Sequence, residues 1–123
     1  MKEPTTATLD RWWSKAVLAT YGSQCVDPEC NQPAGGCHHV NKRRYLITRW
    51  EFINGLPLCQ KHHMKADQDR NYALSLKTEQ AREYLEDIHF VSLKENLPTD
   101  QSVAEYKIAQ LRFLKEICGA SHG

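Results

Sequence analysis

The chain has 123 residues, of which 41% are hydrophobic and 25% charged, and its formal net charge is only +1. This composition indicates a single domain over residues 1–123, and no apolar stretch approaches the roughly 20 residues that would cross a bilayer. Because the first residues also lack the apolar run of a secretory signal, we expect a cytoplasmic protein with reduced cysteines and no membrane partner.

An amphipathic helix is predicted over residues 8–21. Thr8 is its expected N-cap, and Gly22 is expected to end it. Apolar residues recur along this segment at the spacing of one helical face, and we expect the two tryptophans among them to pack on the segment that follows. These apolar residues are Leu9, Trp12, Trp13, Ala16 and Val17.

The middle segment, residues 25–69, begins with turn-rich sequence. Two short β-prone pieces follow, at residues 38–40 and 45–52, and a helix is predicted over residues 58–67. The rest of the chain, residues 78–118, is predicted to be helical.

The C-terminal helices are interrupted once, at Asn96-Leu97-Pro98. The last helix is predicted to run from about residue 101 to residue 118. Ser102 and Glu105 have the spacing of a capping box at its start, and Gly119 is the expected C′ residue at its end.

Cysteine and histidine supply the chemistry of the middle segment. Cys25 and Cys30 form one short-spaced pair, and Cys59 and His62 form another on a shared helical face. Together they provide four thiolate and imidazole ligands, the number and type that a closed structural zinc site requires. The alternative is that these cysteines are small buried hydrophobes, and Cys37 is an alternative ligand in place of Cys25 or Cys30.

A second group of histidines lies beside the first. Successive residues of a helix are turned by about 100°, so His63 cannot face the same way as its neighbour His62. His63 is instead predicted to point across a cleft at His38 and His39, where the three imidazoles can surround a second metal ion or a phosphate. Asp67, one turn beyond His63, is a conjectural further ligand, and the alternative for it is a solvated helix carboxylate.

Positive charge is concentrated on the same stretch. Residues 38–70 carry seven basic and three acidic side chains, a local net charge of +4, whereas the rest of the chain carries −3. Such an excess is typical of a phosphate-binding surface, and a solvated turn is the alternative for residues 42–44. The candidate DNA-backbone contacts are Lys42, Arg43, Arg44, Arg49 and Lys65.

The order and spacing of these residues resemble the HNH endonucleases of the ββα-metal class, and most of all the small zinc-stapled forms of phages and prophages. The resemblance covers about residues 25–67 and implies an α+β fold. Its small ββα-metal core would carry a structural zinc knuckle and be flanked by the N-terminal helix and the C-terminal helices. The motifs that carry it are Cys25-x4-Cys30, Cys37-His38-His39-Val40, Thr48-Arg49-Trp50 and Asn54-Gly55-Leu56-Pro57-Leu58-Cys59-x2-His62-His63.

The resemblance also implies roles for individual residues. His39 would be the general base that takes a proton from the attacking water, a role that suits an imidazole with a pKa of about 6.5. Asn54 would hold the strand that carries His39 against the helix. His38 and His63 would bind a catalytic divalent ion such as Mg²⁺, Mn²⁺ or Ni²⁺. Since adjacent residues of a regular strand face opposite sides, His38 and His39 require this strand to be irregular or to begin there.

We therefore expect an HNH endonuclease that hydrolyses DNA phosphodiester bonds in a bacterial or phage-infected cell. One alternative is a zinc-stabilised nucleic-acid-binding module without cleavage. Another is an accessory protein of phage recombination or packaging that acts through its acidic C-terminal helices. The two remaining histidines, His89 and His122, are assigned no role.

Overall fold

The computed structural model describes residues 2–120 and, within them, contains seven α-helices and one two-stranded antiparallel sheet. The expected α+β class is thus confirmed. None of the helices in this range is long and apolar enough to cross a membrane. His122 lies outside the described residues. In chain order the elements are α1 (Thr6–Tyr21), β1 (Gly36–His39), α2 (Leu46–Arg49), a 3₁₀ turn (Phe52–Asn54), β2 (Gly55–Leu58), α3 (Gln60–Gln68), α4 (Arg70–Ser75), α5 (Glu79–Ile88), α6 (Leu93–Asn96) and α7 (Val103–Ala120).

Helix α1 begins two residues earlier than predicted. The hydroxyl of Thr5, not that of Thr8, caps it, because the Thr5 side chain accepts the backbone N–H of Thr8 at 3.1 Å. The prediction of Thr8 as the N-cap is therefore wrong. Gly22 ends the helix as predicted, with a φ of 91° that favours glycine.

The sheet pairs β1 with β2, so that His38 lies opposite Leu56 and His39 opposite Gly55. A strand over residues 45–52 was expected, and this prediction is wrong: the segment forms α2 and the start of the 3₁₀ turn. The physical reason is burial at helical spacing, because Ile47 and Trp50 are three residues apart and are both buried.

The second strand contains a proline, which lacks a donor for the sheet ladder. In a two-stranded sheet each strand has only one partner, so Pro57 can lie in β2 opposite Cys37. The other side of β2 is covered by the loop after α1, where the backbone N–H of Val26 donates to the Pro57 carbonyl at 3.0 Å.

Two apolar clusters hold these elements together. The first lies between the sheet, α3, α4 and α5, and its largest fully buried members are Leu58 and Leu85. The second lies between α1, Trp50 and α7. It confirms that Trp13 packs on the middle segment, and it consists of Leu9, Trp13, Ala16, Val17, Trp50, Leu114 and Cys118.

Helix α7 begins as predicted but does not end as predicted. Ser102 and Glu105 form the expected capping box, since the Glu105 backbone N–H donates to the Ser102 hydroxyl at 3.1 Å and the Ser102 N–H donates to the Glu105 carboxylate. Gly119 is not a C′ residue, because α7 continues through Ala120. The proline-containing break separates α6 from α7.

The contact between α1 and β2 leaves no room for a side chain at Gly55. A Cβ atom built there would lie 2.3 Å from Val17 Cγ2 and 3.0 Å from Trp13 Cζ2. We expect Gly55→Ala to lower the free energy of unfolding by about 1–3 kcal/mol, the usual cost of overpacking a core, in urea unfolding followed by circular dichroism.

Gly36→Ala is the matched control, because Gly36 is also in the sheet but a Cβ there meets nothing within 4 Å. We expect this control to change the free energy of unfolding by no more than about 0.5 kcal/mol. Equal effects of the two substitutions would contradict close packing of α1 on β2.

Candidate functional site

Four predicted zinc ligands converge where the loop after α1 meets the start of α3. Their ligand atoms all lie within 4.8 Å of one another. The Sγ atoms of Cys30 and Cys59 are 3.9 Å apart, and His62 Nδ1 is 3.2 Å from Cys59 Sγ and 3.5 Å from Cys25 Sγ. A tetrahedral zinc ion with bonds of about 2.1–2.3 Å separates its ligand atoms by about 3.4–3.8 Å. The cluster could therefore hold a metal ion such as zinc.

Local structure brings these four ligands together. A turn in which the Cys30 N–H donates to the Asp27 carbonyl at 3.0 Å places Cys30 near Cys25. Cys59 is the N-cap of α3, so His62 follows it one turn later. The backbone N–H of His62 beside the sulfur lowers the pKa of the Cys59 thiol to about 7, whereas burial raises the pKa of Cys25. Cys59 thus ionises more readily than Cys25 to the thiolate that binds metals.

Asp27 supports this cluster from outside. Its carboxylate lies 3.6 Å from Nε2 of His62, the ring nitrogen that faces away from the sulfurs. The carboxylate also accepts the Tyr72 hydroxyl at 2.5 Å and the Glu29 N–H at 2.9 Å, and the Tyr72 contact lowers the pKa of Asp27. A carboxylate beside the outer nitrogen of a metal-binding imidazole is a common supporting group, and at 3.6 Å its contact with His62 is electrostatic and not a hydrogen bond. Asp27 is not among the residues predicted from the sequence, where its signal is an acidic residue between the paired cysteines.

Cys37 is not part of the cluster. It lies on the α1 side of the sheet, where the Ser14 hydroxyl donates to its Sγ atom at 3.4 Å. It packs against the apolar cluster that contains Trp13. The described geometry therefore removes Cys37 as an alternative to Cys25 or Cys30.

A second candidate metal centre contains the predicted ligands His38, His63 and Asp67. The Oδ1 atom of Asp67 lies 3.2 Å from His38 Nδ1 and 3.7 Å from His63 Nε2. Burial and the neighbouring His63 lower the pKa of His38, so the His38 ring is neutral at neutral pH. Two imidazoles and one carboxylate at these separations can share one divalent ion.

Adjacent residues on α3 separate the two centres. His62 faces the sulfurs and His63 faces β1, as the 100° turn between neighbouring helical positions predicts. The orientation of α3 about its own axis therefore determines the directions of both imidazoles. A contact that holds His62 in place also restrains His63 through the helix.

His39 is held against α1 on the opposite side of β1 from His38. Its ring stacks on the indole of Trp13, with 3.7 Å between ring centroids and 7° between planes, and its Nε2 lies 3.0 Å from the carbonyl oxygen of Arg49. Because a carbonyl can only accept, Nε2 carries the proton and Nδ1 carries the lone pair. Burial lowers the pKa of His39 to about 4, below the value expected from sequence, so the ring is neutral at neutral pH.

The histidine pair needs no irregular strand. His38 and His39 face opposite sides, as in any regular strand, and the expected irregularity is not observed. β1 ends at His39, and a cleft of about 650 Å³ extends around this end and reaches both residues. The polar residues that line the cleft are His38, His39, Lys42, Arg43, His63, Asp67 and Arg70.

Asn54 fastens the loop that follows β1. Its fully buried side chain accepts the Asn41 N–H at 2.7 Å and donates to the Asn41 carbonyl at 2.9 Å. The Asn41 side chain in turn donates to the Leu85 carbonyl and accepts from Arg70. Asn54 thus holds the chain beyond His39 through a loop, and its side-chain hydrogen bonds go to the backbone of Asn41.

Three basic residues line the cleft. Lys42 and Arg43 were among the candidate phosphate contacts, and their side chains are exposed. Arg44, the next residue, is exposed beside them and lies over the Tyr45 ring. Arg70 was counted in the basic segment but not assigned a role; the signal for it is its position two residues after α3, on the cleft side.

The other two candidate phosphate contacts lie elsewhere. Arg49 forms an ion pair with Asp10 of α1 through two hydrogen bonds of 2.9 and 3.1 Å. Lys65 lies over the Tyr72 ring, on the side of α3 that carries His62. Their assignment as DNA contacts stays a prediction, and the partners found here are ones that sequence does not reveal, because they are distant along the chain or set by the rotation of a helix.

The two histidines on α3 make a direct test of this geometry. We expect His62→Ala to lose bound zinc and lower the free energy of unfolding, since it removes one of four ligands. His63→Ala should retain the zinc and raise the divalent-ion concentration needed at the second centre by at least about tenfold. Elemental analysis and titration with Mn²⁺ measure the two effects. The opposite pattern would mean that α3 is rotated relative to the structure.

Comparison with protein-family models, with curated proteins and with solved structures found no match. The structure itself defines a small α+β protein with a cysteine and histidine cluster that could bind a metal ion. Any assignment of activity therefore depends on the cleft and its residues.

Proposed function

We propose that this protein is a metal-dependent endonuclease of the HNH type, which hydrolyses phosphodiester bonds in DNA. The arrangement around the end of β1 carries the proposal. Three candidate metal ligands converge on one side of the cleft, and His39, a neutral histidine held in one orientation, reaches the same cleft from the other side of the strand. A general base and a metal centre in one basic cleft can together support phosphodiester hydrolysis.

His39 is the proposed general base. The Arg49 carbonyl holds the proton on Nε2, and the Trp13 indole holds the ring plane, so Nδ1 is the atom that can accept a proton from water. Burial keeps this nitrogen unprotonated at neutral pH. Asn54 limits movement of His39 by fastening the loop that follows it.

The second metal centre is the proposed site of a catalytic ion. His38, His63 and Asp67 would hold it, and a divalent ion bound there would stabilise the charge that develops on the phosphate and the leaving oxygen. With two imidazoles among three ligands, Mn²⁺ and Ni²⁺ should serve as well as Mg²⁺. The zinc cluster on the other face of α3 would have a structural role.

Lys42 and Arg43 are the proposed contacts to backbone phosphates, together with Arg70. The Arg70 guanidinium donates to the Asn41 side chain at 2.7 Å, which holds it at the edge of the cleft. Contacts of this kind neutralise phosphate without reading base sequence. Arg49 and Lys65 are not included, because Arg49 is paired with Asp10 of α1 and Lys65 lies over the Tyr72 ring.

Nicking of supercoiled plasmid tests the proposal. We expect purified protein to convert the supercoiled form to the open circle when Mg²⁺, Mn²⁺ or Ni²⁺ is added, and to stop when a chelator removes that ion while elemental analysis still finds the zinc. Nicking that continues under these conditions would exclude the metal role. DNA binding without nicking under any ion would instead favour a zinc-stabilised nucleic-acid-binding module.

A further inference from the structure

A cluster of aromatic side chains is exposed outside the cleft. Phe90, in the turn after α5, has 79% of its surface exposed. The His89 ring stacks on it at a centroid distance of 4.4 Å, and the Tyr45 ring meets it at 5.7 Å and 83°. Tyr45 and His89 are themselves 4.7 Å apart. The three rings therefore support one another, and most of the Phe90 ring remains open to solvent.

Two arginines, Arg44 and Arg70, lie near these three rings. The Arg44 guanidinium lies 5.0 Å from the centre of the Tyr45 ring and donates to its hydroxyl at 3.0 Å. The charges of Arg70 and Arg44, with burial as the largest cause, lower the pKa of His89, so both arginines are close enough to act on this ring. Cations beside exposed rings complement the negative charge of a nucleic-acid backbone.

The exposed rings continue the cleft. Lys42 and Arg43 line the cleft, Arg44 follows them, and Tyr45 begins the aromatic cluster. Arg70 likewise lines the cleft and acts on His89. A nucleic-acid strand whose phosphates lie along the basic residues would thus bring its next nucleotides to the rings.

We infer that Tyr45, His89 and Phe90 form a stacking surface for an unpaired nucleobase, so that the substrate carries a single-stranded segment beside the cleft. This inference rests on the proposed function of the cleft. Every nucleobase has a face that stacks on an aromatic ring, whereas a base within a duplex is already stacked on its neighbours. An exposed phenylalanine among arginines therefore selects unpaired nucleotides by structure, without reading their sequence.

Binding measured without added divalent ion tests the inference separately from cleavage. The probes are a fluorescein-labelled blunt duplex and the same duplex with a single-stranded extension, and the readout is fluorescence anisotropy. Phe90→Leu keeps an apolar side chain but removes the aromatic face, and Phe90→Trp keeps that face. The matched control is Phe113→Leu, because Phe113 is also exposed but lies on α7 against Phe52.

We expect Phe90→Leu to weaken binding of the extended duplex by about fivefold to a hundredfold, the range of one base-to-aromatic stack. Phe90→Trp and Phe113→Leu should bind both probes within twofold of the unchanged protein, and Phe90→Leu should bind the blunt duplex equally well. An equal loss of affinity for both probes in Phe90→Leu would overturn the inference. No loss of affinity for either probe would also overturn it, and would assign the surface of Tyr45, His89 and Phe90 to a protein partner.

The two proposals can fail separately. Selective binding of the extended duplex in a protein that nicks no DNA would keep the stacking surface and reject the nuclease. Ion-dependent nicking in a protein for which Phe90→Leu changes nothing would keep the nuclease and reject the stacking surface.

Discussion

Replacing His39 with alanine is expected to slow plasmid nicking by about 10²–10⁴-fold, the usual contribution of a general base. The expectation follows from the Nδ1 lone pair, which the Arg49 carbonyl directs by holding the proton on the other ring nitrogen. A base acts mainly in the transition state, so DNA affinity and metal content should change little. Single-turnover nicking at saturating Mn²⁺, with anisotropy for DNA binding, measures both quantities.

The His39 ring also has a structural role, so alanine alone does not isolate its chemistry. The ring stacks on Trp13, and its loss leaves a cavity against α1. His39→Phe fills the same space without a nitrogen. We expect this variant to be as inactive as His39→Ala and to unfold at a higher urea concentration than His39→Ala. Nicking by His39→Phe at more than about a tenth of the original rate, given the size of a general-base effect, would exclude His39 as the base.

Replacing Cys59 with serine should remove the zinc and unfold the segment that surrounds it. Zinc binding contributes about 10–16 kcal/mol in small structural modules, which is comparable with the total stability of a typical domain, about 5–15 kcal/mol. Cys59 also begins α3, so its loss affects the helix that carries His62 and His63. We expect less than about a tenth of the original zinc by elemental analysis, because a closed structural zinc site needs all four protein ligands, and a loss of near-ultraviolet circular dichroism.

Cys37→Ser is the matched control for this substitution. Cys37 is half-buried like Cys59. It lies on β1, and its sulfur faces Ser14 and not the other cysteines. It should keep one zinc per chain and a cooperative unfolding transition. Loss of zinc from Cys37→Ser together with its retention in Cys59→Ser would mean that the ligand set is assigned incorrectly.

Helical geometry made much of the site predictable from sequence. The spacing from Cys59 to His62, and the turn between His62 and His63, follow from 3.6 residues per turn. The structure accordingly places one histidine with the sulfurs and the other with His38. Even the conjectural ligand Asp67 reaches this group, because it lies one turn beyond His63 on the same face.

Features that depend on distant partners could not be predicted in this way. Arg49 pairs with Asp10, which is 39 positions away in sequence. The β-branched and aromatic residues 45–52 suggested a strand, but burial of Ile47 and Trp50 on one side favours a helical turn. The strand that pairs with β1, β2, contains a glycine and a proline, two residues that are rare in strands. In each case tertiary packing overrides the local signal.

The packing of α1 against α7 has a consequence for synthesis on the ribosome. Leu9, Trp13 and Val17 leave the ribosome early, but Leu114, which completes their cluster, follows roughly a hundred residues later. At about 5–20 residues per second, this delay lasts on the order of 5–20 s. Trp50 offers the first partial cover during that interval. The nascent chain therefore exposes a tryptophan-bearing apolar face that chaperones can bind before the fold closes.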